Sequence, residues 1–140
     1  MSPISLLLNV LWILFGGFYM AVGWAIAALI MVITIVGIPW ARAALTIAFY
    51  TLLPFGQTVV DRETGVGTGP LGFFGNLIWL VLAGWWLALG HLITAILLAI
   101  TIIGIPFAWA HLKLAGLALW PIGKDIVSLE DAERDHRARA

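Results

Sequence analysis

The chain has 140 residues, of which 63% are apolar and 10% charged, with no cysteine and a formal net charge of zero; its mean hydropathy is +1.09. A soluble domain is about half apolar and about a quarter charged, so this chain lacks the residues for a water-facing coat and belongs in a membrane. The seven basic residues, Arg42, Arg62, Lys113, Lys124, Arg134, Arg137 and Arg139, form no basic face, which excludes nucleic-acid binding. Without cysteine there are no disulfides, thiolate metal sites or thiol catalysis.

Residues 1 to 36 contain no Lys or Arg, and the apolar run outlasts the short core of a signal peptide, so the N-terminus is expected to be retained. The chain then repeats itself. Residues 9 to 60 match residues 76 to 127 at an offset of 67 without a gap, with 21 of 52 positions identical. Asn9 pairs with Asn76, Trp12 with Trp79, Gly17 with Gly84, and Gly37-Ile38-Pro39 with Gly104-Ile105-Pro106. The layout is a first repeat over 1–60, a linker over 61–72, a second repeat over 73–127 and a charged tail over 128–140.

Each repeat opens with an uncharged apolar run, residues 4 to 38 and 77 to 105. A straight helix of 30 residues would measure roughly 45 Å, against a hydrocarbon core of about 30 Å. A turn is therefore expected midway, at Gly16–Trp24 and its copy Ala83–His91, folding each run into a hairpin of two arms of about 15 residues. The fold class that follows is an all-α integral membrane protein: a tandem repeat of a short transmembrane hairpin and an interfacial helix, with four membrane segments.

Helix breaks are expected at Gly37 and Pro39 and at Gly104 and Pro106, because proline cannot donate a backbone hydrogen bond and disfavours helix in the residue before it. The segments that follow, residues 40 to 53 and 107 to 120, read as helices lying in the interface, the alternative being a third span with a snorkelling charge. Arg42, Lys113 and Lys124 are the expected contacts to anionic lipid headgroups. The linker carries a Gly65, Gly67, Gly69 series that superficially suggests a phosphate cradle, but no Gly-Lys-Ser/Thr follows and no strand is expected before it. In the tail, Ser128 and Asp131 form a capping box ahead of acid–base pairs at i, i+4, a short solvated helix. Four of the seven basic residues lie beyond residue 123, so the positive-inside rule puts the tail, the linker and the N-terminus in the cytoplasm.

The doubled pattern of Asn-x-x-Trp, a Gly-rich aromatic segment, Thr-Ile-x-Gly-Ile-Pro and Leu-x-Pro-x-Gly resembles the YccF family of bacterial inner-membrane proteins. Its strongest stretch runs from Ile102-Ile103-Gly104-Ile105-Pro106 to Ala118-Leu119-Trp120-Pro121-Ile122-Gly123. The resemblance implies an inner-membrane protein with two copies of one domain, two membrane segments in each and no established biochemical function. It brings no catalytic residues. The two copies differ mildly, with Arg42 and Ala44 in the first where the second has Trp109 and His111.

All seven carboxylates fall outside the apolar runs, leaving those runs without an acid or base for catalysis. His91, His111 and His136 are expected at a hairpin tip, on an interfacial helix and in the tail, with no shared metal. No enzymatic activity and no cofactor are expected. Asn9 and Asn76, with Thr34 and Thr101, read as interhelical polar pairs, since an amide in an apolar helix needs a partner; their other reading is the lining of a polar pathway. The expected function is a lipid-interacting or partner-docking membrane component. The alternative is a small oligomeric channel or transporter with its path at the pseudo-symmetric repeat interface. The partners expected are the bilayer, its anionic headgroups, and a second copy or another membrane protein.

Overall fold

Ser2 starts the first helix: its hydroxyl accepts the Ser5 N–H at 3.1 Å, and Pro3 occupies a first-turn position where a missing N–H costs nothing. In the computed structural model, which describes residues 2–62 and 67–140, α1 (Pro3–Trp12) passes through a widened turn at Ile13–Gly17 into α2 (Phe18–Ile33). The second repeat copies this with α4 (Gly69–Trp79), a widened turn at Leu80–Gly84 and α5 (Trp85–Ile100). Taken end to end, Pro3–Ile33 and Gly69–Ile100 are long and apolar enough to cross a membrane. The two turns differ. Phe15 leaves helical geometry and Gly16 takes φ 104°, whereas Ala83, which replaces Gly16, does not adopt a positive φ.

The chain does not reverse where the glycines of the apolar runs suggest. Phe18–Ile33 and Trp85–Ile100 are helical, so Gly16–Trp24 and Ala83–His91 are not hairpin turns. The reversals lie at residues 34–37 and 101–104, after which α3 (Ile38–Leu52) packs along α2 and α6 (Ile105–Leu119) along α5. In lipid a backbone has no water to turn to, so glycine alone does not break a helix there. Gly23 and Gly90 instead allow close packing: a Cβ on Gly23 would lie 3.2 Å from Leu87, and one on Gly90 would lie 3.2 Å from Met20.

Each reversal is held by its own threonine. Thr34 Oγ1 donates to the Met31 carbonyl at 2.8 Å and accepts the Gly37 N–H at 3.3 Å; Thr101 does the same with Leu98 at 2.6 Å and Gly104 at 3.0 Å. Gly37 and Gly104 stand at the N-caps, and Pro39 and Pro106 fall in the first turns of α3 and α6. Ile35 and Ile102 both take φ 63°, a left-handed conformation that β-branched residues rarely adopt.

The fold is not all-α. Beyond Pro54 and Pro121 the chain forms β1 (Gln57–Asp61) and β2 (Lys124–Ser128), which pair antiparallel with Val59 opposite Ile126. Those two residues are 67 apart, so equivalent positions of the repeats face each other. β-Branched residues suit an extended ribbon, but each strand finds its partner only in the other repeat. Arg62 pairs with Asp125 at 2.6 Å, and Lys124 pairs with Asp61, closing the ribbon's end. The stretch expected as a linker thus begins in β1 and ends in α4; Glu63 and Gly65 lie outside the described residues. A strand does precede the glycine series.

Ser128 caps α7 (Leu129–Arg139) by accepting the Asp131 N–H at 3.1 Å. Glu130 and Asp131 sit in its first turn and Arg137 and Arg139 in its last, complementing the helix dipole.

Gly104 and Gly116 separate two effects of adding one methyl group. A Cβ on Gly104 would lie 2.5 Å from the Leu98 carbonyl oxygen, whereas one on Gly116 meets nothing within 4 Å. Gly104→Ala is expected to destabilise by about 1–3 kcal/mol through overpacking. Gly116→Ala, inside α6, is expected to stabilise by about 0.5–1 kcal/mol. Thermal unfolding in detergent reads both, and equal midpoints would contradict the turn geometry.

Candidate functional site at the repeat interface

The end of α3 leaves backbone groups that need partners, and α1 supplies them. Asn9 Nδ2 donates to the Phe55 carbonyl at 3.0 Å while its Oδ1 accepts the Phe55 N–H at 2.9 Å. One turn on, the Trp12 indole N–H donates to the Thr51 carbonyl at 2.7 Å. The second repeat reproduces the clamp, with Asn76 on Ile122 at 3.0 and 2.9 Å and Trp79 on Ala118 at 2.7 Å. Asn9 and Asn76 therefore bond to loop backbone within their own repeats rather than to each other. Thr34 and Thr101 hold their own turns rather than bridging helices. A short polar side chain beside its own helix end finds a backbone partner more readily than a distant side chain.

Where the repeats meet, equivalent residues touch. Trp24 and His91 are 67 apart in sequence, and the Trp24 indole N–H donates to His91 Nε2 at 3.0 Å. Trp24 also stacks on Trp79, with ring centroids 5.2 Å apart. The interface proposed as a pathway in the channel reading is thus filled by fully buried Trp24, Trp79 and His91.

His91 Nδ1 lies 3.0 Å from His111 Nδ1, and His111 Nε2 lies 3.3 Å from the Phe15 carbonyl. Trp12 stacks on the His111 ring at 4.2 Å. Both imidazoles are fully buried. The expectation that His91 and His111 lie apart, at a tip and on a surface helix, does not hold. With the reversal at 101–104, His91 falls in the second turn of α5 and α6 folds back beside it. Sequence reasoning missed this pair, although a signal was present: both histidines stand where the second copy departs from the first, at Trp24 and Ala44. Gly16 is the third departure in the group, since a Cβ there would lie 3.1 Å from Thr94 and 3.4 Å from His111. Among the described residues no three potential metal ligands come together.

Two clefts related by the same symmetry flank the ribbon. One, of about 510 Å³, lies between Pro39, Arg42 and Thr46 of α3 and Ile122–Ile126 of the other repeat. Its counterpart, of about 690 Å³, lies between Pro106, Trp109 and Lys113 of α6 and Phe55–Val59. Arg42 and Lys113 are exposed, and among the described residues neither has a carboxylate partner; the Lys113 ammonium sits 5.7 Å above the Trp109 ring. Lys124 differs from the expectation, being held by Asp61 in the ribbon.

The family model described as the inner membrane component domain, YccF, matches residues 7–57 and again residues 74–124. The Inner membrane protein YccF of Escherichia coli (strain K12) is 38% identical over 139 residues, covering 95% of this chain and 94% of that protein. Inner membrane protein YccF of Shigella flexneri matches with the same figures. No solved structure matches.

Replacing either clamp amide by leucine orphans one backbone N–H and one carbonyl in a dry site. Asn9→Leu and Asn76→Leu are each expected to cost about 1–3 kcal/mol, read as a lowered unfolding midpoint in detergent. A neutral result for both would remove the clamp from the fold's supports.

Proposed function

Since the chain belongs to the YccF family of inner membrane component domains, we propose that it is a non-enzymatic, lipid-interacting component of the bacterial inner membrane. Its two helical hairpins press apolar tips into the hydrocarbon and hold headgroups in the clefts beside the ribbon. The observation that carries this is the residue at each tip. A left-handed position ordinarily takes Gly or Asn, which relieve backbone strain, yet here both are isoleucine, and Ile35 and Ile102 are 73% and 74% exposed. Ile33, Val36, Ile100 and Ile103 beside them are also exposed. A strained isoleucine facing outward is reasonable where its surroundings are acyl chains.

The rest of each hairpin suits a shallow wedge. The returning helices α3 and α6 have 15 residues each, about 22 Å at 1.5 Å per residue and short of a hydrocarbon core of about 30 Å, so they limit the depth of each hairpin although Pro3–Ile33 and Gly69–Ile100 are longer. Arg42 lies only two turns from Ile35 but lines the cleft beside the ribbon with Lys124 and Asp125, where its guanidinium can meet a headgroup while the tip stays apolar. In this reading the ribbon and α7 face the cytoplasm, in keeping with their basic residues. Partner docking would use the same cytoplasmic surface.

The chain's lack of cysteine makes the test direct. Val36→Cys and Ile103→Cys, carrying a fluorophore in liposomes, are expected to be quenched more by nitroxides on acyl chains than by nitroxides on headgroups. Labelling of both tips by an impermeant maleimide from outside intact spheroplasts would overturn the wedge and favour spanning hairpins.

Arg42→Gln with Lys113→Gln tests the clefts separately. Each cation near an anionic surface is worth about 1 kcal/mol, so each change is expected to lower the preference for phosphatidylglycerol over phosphatidylcholine about fivefold. Lipid retention measured by native mass spectrometry reads this. Unchanged retention would free the clefts of that role.

A further inference from the structure

We infer that the His91–His111 pair is a proton-binding site, and that uptake of one proton opens the packing at the repeat interface. The contacts themselves fix the neutral state. The Trp24 indole nitrogen can only donate, so His91 Nε2 must accept. A neutral His91 then carries its proton on Nδ1 and donates to His111 Nδ1, which must be bare. A neutral His111 carries its proton on Nε2 and donates to the Phe15 carbonyl. This is the one arrangement of two neutral rings in which every contact has a donor and an acceptor. It runs in one direction from α2 of the first repeat, through α5 and α6 of the second, to the broken turn of the first.

A third proton on the two rings has no place in that chain. The Trp24–His91 and His91–His111 contacts each need one bare ring nitrogen, and the protonated pair has only one between them. Wherever the bare nitrogen falls, the other contact sets N–H against N–H. If Trp24–His91 fails, the repeats part at their shared axis; if His91–His111 fails, α6 loosens from α5. The Phe15 carbonyl accepts in either case and provides no relief.

No carboxylate lies nearby to balance the charge; the Trp12 ring stacked on His111 and the Phe15 carbonyl are the groups that favour it. α1 contributes the Trp12 ring, the broken turn contributes the Phe15 carbonyl and Gly16, and α2 contributes Trp24. The Thr94 hydroxyl of α5 donates to the Gly90 carbonyl. From α3, Tyr50 packs on the adjoining apolar cluster of Trp12 and Phe107, and Arg42 is exposed. α1 to α6 contain no Asp or Glu. A cation formed here is therefore relieved by movement rather than by a counter-ion.

The arrangement is confined to one side of the duplication. Ala44 occupies the position of His111, and Ala83 that of Gly16. His111→Ala thus gives the second repeat the residue the first already carries, a substitution this backbone accommodates.

The experiment is a nitrogen-15 titration of the histidine rings and tryptophan indoles of the full chain in nanodiscs, acidified from about pH 8 to about pH 3. His91 and His111 are expected to begin as opposite neutral tautomers and to take up one proton as a unit. The Trp24 indole signal should move in step, while His136 titrates alone. The distance between spin labels on Val36→Cys and Ile103→Cys should change over the same interval, and His111→Ala should lose that change. Matching tautomers at the start would overturn the inference. So would an indole signal or a label distance that stays fixed while the rings titrate, or rings that stay neutral until the protein unfolds. Should His111→Ala fail to fold, the titration of the unaltered rings decides alone.

Discussion

In an apolar medium every backbone N–H and C=O must find its partner inside the protein, and this constraint places most of the polar side chains in the described helices. The first repeat breaks its helical path three times and the second, whose widened turn stays helical, twice; each break exposes backbone groups. The widened turn ends α1, the reversal ends α2 and the Pro-x-Gly corner ends α3. Thr34 closes the reversal, and Asn9 with Trp12 closes the corner. Their equivalents in the second repeat do the same work at distances within about 0.3 Å. Asn9, Asn76, Thr34 and Thr101 are thereby explained as repairs of the backbone.

The duplication folds on itself as an isologous dimer would, with each repeat offering the other the same surface. Three features lie on or about the axis: the glycines that admit Leu87 and Met20, the contact of Trp24 with His91, and the pairing of Val59 with Ile126. Departures from symmetry are correspondingly informative. Three of the differing positions bring Gly16, Trp24, His91 and His111 together in one site, with Ala83 and Ala44 standing at the equivalents of Gly16 and His111. Glycine permits the sharper turn, the turn frees the Phe15 carbonyl, and His111 takes it.

The sequence told the repeat, its register, the membrane setting and the closing proline motifs, because all of these are patterns within one copy or between copies. It also told which polar residues would be unusual. It did not tell where the chain reverses. Gly16, Gly17 and Gly23 look like a turn to a reader who counts glycine, yet Gly23 serves close helix contact, and the reversal falls on Thr34 and the left-handed Ile35. The ribbon was hidden for a different reason. Gln57–Asp61 has the composition of a short strand, but its partner lies 67 positions away, and one strand of that length carries no signal of pairing. The histidine pair depended on the reversal, so misplacing the turn separated residues that the fold brings within 3.0 Å.

The tips allow two energies of similar size to be set against each other. Holding a β-branched residue in the left-handed region costs about 1–3 kcal/mol, and each repeat does so at an equivalent place. Moving an isoleucine side chain from water into an apolar surrounding returns about 1.5–3 kcal/mol. In water the exposed isoleucine would gain nothing, and glycine or asparagine would be the better choice at both positions. In hydrocarbon the two terms offset, while asparagine would add the cost of an unpaired amide. Glycine would escape both costs but give up the apolar contact. Ile35 and Ile102, one at the equivalent strained, outward-facing position of each copy, therefore support the proposed lipid-facing tips, with the cations of α3 and α6 as the proposed headgroup contacts.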